Sequence, residues 1–469
     1  MVVRVLAASG AGWRTGALLV GAAMTAGCRS AAERPVAAEL GAADGSTAAV
    51  AAGSAAGSAG GDAGTPSGAG NAQAKAALRG LPAASNVLMI SIDSLRADMP
   101  WAGYGRDVAP RLTALEKKCV SYTRAYSVAS HTAPSVGAMF FGKYPTELKR
   151  DGFFSTRFNK DNVSFVSLLK EAGVQTVAGH AHEYMRRAGW DQGFARYDLI
   201  PGLVWYPDLD ENVTAKPLAE LAQKQLTELG DLGKEGRFFA WYHFLDPHAK
   251  WLEHQNEGIA SWGKKSRDLY DGEVTYADKY VGQLLDHVAA QPWADRTVVI
   301  FTSDHGEGVG DHAQNYHGYQ VWETMVHVPL FVCAPGVAPR HVDTPRSLID
   351  IGPTVLDVFG QKAPADYRGQ SLVPEVLGES APPRDVFVDL PANNHSFAKR
   401  ALIGERYKIV YSAQWKGHEL FDLQTDPAEA SPAKKGPEVD EWSAKLDRFI
   451  GTLKEQKPTN CGAGCMKGW

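Results

Sequence analysis

From Asn86 onward, the chain alternates between uninterrupted apolar runs and stretches in which apolar residues recur every three or four positions. Uninterrupted runs are typical of strands buried on both faces of a sheet, and the longer spacing is typical of amphipathic helices. The predicted strands are NVLMISI, VQTVAG, RFFAWYHFL, RTVVIFTS and VPLFVCA, and the predicted helices are APRLTALEKKC, VSFVSLLKEAG, VTYADKYVGQLLDHVAAQ and SLIDIGPTVLDVFG. This alternation predicts an α/β sheet with helices on both faces.

After about Gly360 the pattern changes to shorter elements. ALIGERYKIVYSA and HELFDL have the alternation of antiparallel strands joined by turns, and EVDEWSAKLDRFIGTLKEQ has the spacing of a closing amphipathic helix. We therefore expect a main domain over residues 85–360 and a smaller C-terminal subdomain over residues 361–469.

The N-terminal segment has the organisation of a secretory signal. Arg4 and Arg14 precede the short apolar stretch TGALLVGAAM, and small residues lead to Cys28. The apolar stretch is too short for a permanent membrane span. Small residues directly before a cysteine resemble the bacterial lipoprotein signal. We therefore predict a signal peptide over residues 1–28 and export to the cell envelope (periplasm or outer surface), with a membrane anchor through lipid on Cys28; simple secretion is the alternative.

Composition adds a tether and excludes one class of partner. Residues 29–84 are mostly Ala, Gly and Ser, which predicts a disordered linker. The net charge of -5, without a long basic stripe, gives no sign of nucleic-acid binding. Cys119 and Cys333 lie in apolar surroundings and are predicted to be buried thiols, while Cys461 and Cys465 are close enough to form a bridge. The sequence leaves the oligomeric state open.

Polar residues stand directly after several of the predicted strands. These residues are Asp93, His182, His248, Asp304 and His305. Because α/β sheets bind ligands beyond the carboxyl ends of their strands, we expect these side chains to form one site. Carboxylates and imidazoles at such a site suit a divalent metal ion, with zinc, calcium, magnesium and manganese all compatible.

Thr132 in the stretch SHTAPSVGAMFFGKYP stands where a helix is predicted to begin. Its hydroxyl either caps that helix or acts as a nucleophile that the nearby metal activates. The helix start itself favours an anionic phosphate or sulfate group. Three further histidines, His182, His248 and His317, could hold the ester oxygens, protonate a leaving group or bind a second metal.

The motifs of the chain follow the order of a known family. They are NVLMISIDSLRAD, TAPSVGAMFFGKYP, FLDPHAKW, FTSDHGEGVGDHAQNYHGYQVWETMVHVPLFV, SLIDIGPTVLDVFG, YRGQSL and ELFDLQTDPAEA. On these motifs, the chain from Asn86 to about Pro432 resembles the sulfatase family of the alkaline phosphatase superfamily. The resemblance implies an alkaline-phosphatase/sulfatase-like sandwich, with a large mixed, mostly parallel sheet flanked by helices and a smaller C-terminal antiparallel sheet.

The resemblance also implies roles for individual residues. The implied metal ligands are Asp93, Thr132, Asp304 and His305, and the implied catalytic residues are Thr132, His182, His248 and His317. His182 matches the histidine of the family's G-K-x-H substrate motif, in which His180 replaces the lysine.

Two departures from the family pattern bear on the reaction. Thr132 and Val136 stand where sulfatases have a cysteine or serine that matures to formylglycine and an arginine close behind it, and Ser94 replaces a second aspartate. Threonine resembles instead the phosphodiesterases and phosphoethanolamine transferases of the superfamily. We therefore expect a metal-dependent hydrolase of phosphate or sulfate esters that favours phosphoesters, acting on a small-molecule, glycan or lipid ester. A phosphoethanolamine-type transferase and a catalytically silent binding protein are the alternatives.

Overall fold

A computed structural model of the chain describes Leu81 and residues 86–204, 210–230, 236–248, 250–380 and 382–460. The predicted signal peptide with Cys28, the predicted linker apart from Leu81, and the cysteines Cys461 and Cys465 lie outside the described residues. Within the described ranges, no helix combines the length and the apolar character that crossing a membrane requires.

Strands and helices alternate along most of the described chain. The strands are β1 (Asn86–Ile92), β2 (Val120–Tyr122), β3 (Ala125–Tyr126), β4 (Gln175–His180), β5 (Arg196–Leu199), β6 (Phe238–Phe244), β7 (Thr297–Ser303), β8 (Gly308–Val309), β9 (Asn315–Tyr316), β10 (His327–Val328), β11 (Leu330–Cys333), β12 (Arg340–Val342), β13 (Arg346–Ser347), β14 (Val386–Leu390), β15 (Lys399–Ile403), β16 (Tyr407–Ser412) and β17 (Gly417–Asp422). The α-helices are α1 (Pro110–Glu116), α2 (Thr132–Phe141), α3 (Phe165–Glu171), α4 (Ala215–Leu229), α5 (Ser266–Ala289), α6 (Glu323–Val326), α7 (Ile351–Val358), α8 (Val373–Val376) and α9 (Pro437–Ile450).

The main sheet has eight strands in the order β12-β2-β11-β7-β1-β6-β4-β5. The strands from β7 to β5 run parallel to one another, while β11 runs antiparallel to both of its neighbours. The predicted mixed, mostly parallel sheet is therefore confirmed. Strand β1 lies in the middle, between β6 and β7, and every residue of β1 and β6 is buried.

Alternate residues of β1 supply two separate hydrophobic cores, one on each face of the sheet. Val87 and Met89 pack with α2, α3 and α7, whereas Leu88 and Ile90 pack with α1, α4 and α5. This division follows from the two-residue period of a strand, which directs successive side chains to opposite faces. A strand that serves two cores needs apolar residues on both of its faces, which explains the uninterrupted apolar run from Val87 to Ile90.

The smaller sheet, β14–β17, is antiparallel and packs against the segment that leads into α2 and against α2 itself. Val128 and Ala138 share a core with the apolar side chains of this sheet and of α9. The backbone N–H of Asp389 in β14 donates a hydrogen bond of 2.7 Å to the carbonyl oxygen of Val128. The C-terminal sheet therefore supports α2 from the side opposite the main sheet.

The prediction that Cys119 and Cys333 are buried free thiols is wrong, because the structure joins them in a disulfide. Strand β11, which contains Cys333, pairs with β2, and Cys119 directly precedes β2. This pairing brings together two residues that are 214 positions apart in the sequence.

Removing this disulfide should destabilise the fold. The bridge closes a loop of 214 residues and so restricts the unfolded chain. We expect the double variant Cys119→Ala and Cys333→Ala to lose about 2–5 kcal/mol of unfolding free energy, measured by urea denaturation under non-reducing conditions. Thiol titration of the denatured wild-type protein serves as the control, and an unchanged urea midpoint in the variant would contradict the bridge.

Candidate active site

The carboxyl ends of the two central strands bring three polar side chains together. Asp93 follows β1, and Asp304 and His305 follow β7, which pairs with β1 in the register Ile92 to Ser303. His305 Nε2 lies 3.5 Å from Asp93 Oδ1 and 3.5 Å from Asp304 Oδ2. All three side chains are buried. Residues from distant parts of the sequence thus form one compact cluster.

Thr132 is the first residue of α2 and faces this cluster. Its Oγ1 lies 3.3 Å from Asp93 Oδ2 and 3.1 Å from His305 Nε2. The N-cap of α2 is His131, and no side-chain hydrogen bond caps the helix. The helix-cap explanation for Thr132 is therefore wrong, because its hydroxyl is directed at Asp93 and His305 instead of the backbone of α2.

Two buried serines hold the start of α2 against the end of β7. Ser135 Oγ donates a hydrogen bond of 2.6 Å to the carbonyl oxygen of Asp304, and Ser127 Oγ lies 2.5 Å from the same oxygen. The two serine hydroxyls are 2.7 Å apart. These hydrogen bonds fix the distance between Thr132 and the cluster, because Ser135 lies three residues after Thr132 and Asp304 belongs to the cluster.

The charge balance of the cluster fits a bound cation. Burial alone would raise the pKa of Asp93, but the neighbouring His248, His305 and His243 hold it well below its usual range. Burial and the charge of Asp93 raise the pKa of Asp304 well above its ordinary value. Two adjacent buried carboxylates repel each other unless a positive charge lies between them.

A second observation supports the fit. Asp304 Oδ2 is buried and has no hydrogen-bond partner among the described residues. Burial lowers the pKa of His305 to about 3, so its imidazole is neutral, as a metal ligand must be. Two carboxylates, one imidazole and one hydroxyl are a donor set that a divalent cation accepts, so the residues present fit such an ion.

His317 lies beside the cluster and is paired with a glutamate. Its Nδ1 lies 3.1 Å from Glu307 Oε1 and 3.4 Å from Ser94 Oγ. Burial raises the pKa of Glu307 to about 8 and lowers that of His317 to about 3. The ring of His248 is 5.0 Å from that of His317.

His182 reaches the same region from the end of β4. Its Nδ1 accepts a hydrogen bond of 3.0 Å from the backbone N–H of Tyr184, and its Nε2 lies 3.4 Å from Asp210 Oδ2. The proton of the neutral ring is thereby fixed on Nε2. His180 does not take the place of the family's lysine, because its side chain is fully buried against Tyr197 and burial lowers its pKa to about 3.

Three polar side chains of the site were not identified from the sequence. They are His131, His243 and Glu307. His243 Nε2 lies 3.4 Å from Asp93 Oδ2, and its Nδ1 lies 2.7 Å from Ser91 Oγ, directly across from it in the β1–β6 pairing. Glu307 belongs to the SDHGE motif, so its position close behind His305 was a usable signal.

The cluster lies at the bottom of a cavity of about 740 Å³. Asp93, Thr132, His182, His248 and His317 all line it. Among the predicted site residues, Asp304 and His305 lie behind this wall, fully buried. A substrate in the cavity would therefore meet the Thr132 hydroxyl and the three histidines before it reached the two remaining residues of the cluster.

The sequence of the chain matches two known domain families. Residues 85–361 match the model of the Sulfatase family, and residues 310–456 match the model named N-sulphoglucosamine sulphohydrolase, C-terminal. The first match covers more than half of the chain, so the protein belongs to the sulfatase family.

Individual relatives differ in the esters that their names specify. The chain is 32% identical over 214 residues to choline-sulfatase of Rhizobium meliloti and 27% identical over 213 residues to Delta 4,5-hexuronate-2-O-sulfatase of Bacteroides thetaiotaomicron. These matches cover 44% and 42% of this chain, and 41% and 44% of the relatives, so the chain spans less than half of the length of either.

The fold is also shared with a solved hydrolase of a different ester class. The phosphonate monoester hydrolase SpPMH from Silicibacter pomeroyi superposes with a TM-score of 0.62 at 22% sequence identity, over 79% of this chain and 96% of that one. At this identity the similarity establishes the fold.

Proposed function

We propose that this protein is a metal-dependent ester hydrolase that uses Thr132 as its nucleophile and favours phosphoesters over sulfate esters. The observation that carries the proposal is the position of the Thr132 hydroxyl, 3.1 Å from His305 Nε2 and 3.3 Å from Asp93 Oδ2 in the cavity wall. A divalent cation held by the two carboxylates and His305 would lower the pKa of this hydroxyl and offset the negative charge of the transition state.

The residues of the cavity supply the proton transfers. Thr132 Oγ1 attacks the phosphorus, the bond from phosphorus to the leaving oxygen breaks, and His248 passes to that oxygen the proton that Thr132 releases. Water then attacks the phosphorus, the bond to Oγ1 breaks, and a proton of that water returns to Thr132 through His248. The Nε2–H groups of His182 and His317 donate hydrogen bonds to the ester oxygens that do not leave.

The single hydroxyl of Thr132 supports the preference for phosphoesters. Threonine cannot form the aldehyde hydrate of formylglycine, so its covalent intermediate is released only by attack of water on the central atom. The fold shared with a phosphonate monoester hydrolase also supports a preference for phosphoesters, whereas the similarity to choline-sulfatase favours a sulfate ester. A small-molecule, glycan or lipid ester fits the cavity volume of about 740 Å³.

We also propose that the protein is exported and anchored by lipid at Cys28. The basic start, the short apolar stretch and the small residues before Cys28 support export. The disulfide between Cys119 and Cys333 supports it independently, because such bonds persist outside the reducing cytosol.

A substrate panel tests the preference. Phosphodiesters, phosphonate monoesters and sulfate monoesters all carry one negative charge at neutral pH, so p-nitrophenyl esters of the three classes differ mainly in the group under attack. We expect kcat/KM for bis-p-nitrophenyl phosphate or p-nitrophenyl phenylphosphonate to exceed that for p-nitrophenyl sulfate by about 100-fold or more, which corresponds to about 3 kcal/mol in the transition state. Equal or faster turnover of the sulfate would overturn the preference, and no turnover of any ester would favour the silent binding protein.

A further inference from the structure

A second group of potential metal ligands lies apart from the active site. Asp246 follows β6, His254 lies further along the same connection, and Glu273 is in α5. One ligand atom from each residue lies within 4.8 Å of the others, and His254 Nε2 is 2.9 Å from Glu273 Oε2. All three side chains are at most 4% exposed.

Two polar atoms of this group lack a geometrically acceptable hydrogen bond. His254 Nε2 and Glu273 Oε2 are buried, face each other across the group and have no hydrogen-bond partner among the described residues. The separation of 2.9 Å is close to the spacing of about 3.3 Å that two ligands have at a tetrahedral zinc ion with bonds of about 2.05 Å. The two facing atoms would therefore have to move apart by about 0.4 Å to bind one tetrahedral zinc ion.

The protein balances the charges of the group only in part. Burial alone would lower the pKa of His254, but Glu273 and Asp246 together raise it above its ordinary value. Two carboxylates face one imidazole, and neither Asp246 nor Glu273 has a lysine or arginine partner in the described part of the chain. Burial raises the pKa of Glu273 to about 7 and also raises that of Asp246, because both carboxylates are removed from water.

The remaining ligand atoms are held in place by surrounding donors. Thr214, just before α4, donates hydrogen bonds from its hydroxyl and its backbone N–H to Asp246 Oδ2. The backbone N–H of Leu252 donates to Glu273 Oε1, and the His254 ring stacks on Tyr276 with centroids 4.0 Å apart. Such outer contacts orient ligands at metal sites. A small surface depression lined by His254 and Gly272 lies beside the group.

We propose that Asp246, His254 and Glu273 bind a second divalent cation of the first transition series, such as Zn²⁺ or Mn²⁺, independently of the active site. One imidazole and two carboxylates suit these ions. The cation ties the connection after β6 to α5. His248 lies in that connection, two residues after Asp246, so the cation also positions His248; this consequence, unlike the metal binding itself, rests on the proposed function.

Metal counting on the full chain tests the proposal. The protein is stripped with EDTA, dialysed against Zn²⁺ or Mn²⁺ alone, desalted and analysed by mass spectrometry for metal per chain. We expect two equivalents for the wild type, one for Glu273→Gln, one for Asp304→Asn and none for the double variant. Glu257→Gln, the same change three residues beyond His254, is the matched control and should keep two.

The two metal sites give separable outcomes. A wild-type protein with a single equivalent that Asp304→Asn abolishes would overturn the second site and leave the proposed function intact. Retention of two equivalents by Glu273→Gln would also overturn it. Because Glu273→Gln could fail to fold, Asp304→Asn alone provides a second test: its melting temperature should rise when Zn²⁺ is added after EDTA, and an unchanged melting temperature would contradict the proposal.

Discussion

Replacing Thr132 with alanine is expected to lower kcat by about 10,000-fold on the best ester of the panel, equivalent to about 5.5 kcal/mol of transition-state stabilisation. The variant loses the hydroxyl that lies within hydrogen-bond distance of both Asp93 and His305. Water would have to attack the ester without a covalent intermediate. The carboxylates and the histidines of the cavity remain, so substrate binding should change much less than kcat. Steady-state kinetics that separate kcat from KM provide the measurement.

Two variants control for other consequences of this change. Thr132→Ser keeps a hydroxyl on the same carbon and should retain at least about a tenth of the wild-type kcat. Thr113→Ala makes the same substitution in α1, where the threonine hydroxyl donates to the carbonyl oxygen of Ala109, and should leave kcat unchanged. If Thr132→Ala turned over the ester at the wild-type rate, Thr132 would not be the nucleophile.

A trapped intermediate would identify the attacking atom directly. Rapid acid quenching of the wild-type enzyme with a phosphodiester should leave one phosphoryl ester on the peptide that contains Thr132, because the covalent step precedes the attack of water. The same peptide from Thr132→Ala should remain unmodified. Modification of a different residue in the wild type would assign the nucleophile to that residue.

The strands that carry the cluster were predictable because their surroundings leave few choices. A strand between two others and between two helical layers is apolar along most of its length, and the middle residues of β1 and β7 are. A charged residue directly after such a run must lie at the sheet's carboxyl edge. Asp93 and Asp304 were located from this pattern alone, and the order of β6, β1 and β7 then makes them neighbours.

His243 could not be identified in this way. It lies inside the apolar run of β6, where a histidine is more often a core residue than part of a site. Only the pairing of β6 with β1 shows that it faces Ser91 and approaches Asp93. Register is a property of two strands together, so the sequence of either strand does not contain it.

The disulfide and α4 were missed for different physical reasons. Cys119 and Cys333 come together only through the pairing of β11 with β2, which local patterns do not specify. The buried side of α4 consists of three alanines, two leucines and Gln225, so it has only two large apolar side chains. Pro217 lies in the first turn of α4, a position that a helix tolerates although a sequence pattern suggests a break.

Asp304→Asn should remove the active-site cation and lower activity by about 1,000-fold or more, because the change deletes one of the two negative charges that bind it. The stability of the protein should change in opposite directions with and without metal. In a metal-loaded protein, the variant should melt below the wild type, because it forgoes the binding free energy of one cation.

In EDTA, the order of stability of the wild type and Asp304→Asn should reverse. Without a cation, the wild type buries two carboxylates side by side, and burial together with Asp93 raises the pKa of Asp304 well above its ordinary value. An amide keeps the oxygen that accepts the backbone N–H groups of Ser94 and His305 and removes the repulsion. We expect the metal-free variant to be more stable by about 1–3 kcal/mol, measured by calorimetry or urea denaturation.

A matched change outside the cluster separates this effect from a general effect of lost charge. Asp295→Asn alters an exposed aspartate just before β7 and should change neither metal content nor stability. If Asp304→Asn were less stable than the wild type in EDTA as well as in metal, the carboxylate would be stabilising the fold by itself. The pairing of Asp93 with Asp304 would then not depend on a cation, and the reactivity assigned to Thr132 would lose its physical basis.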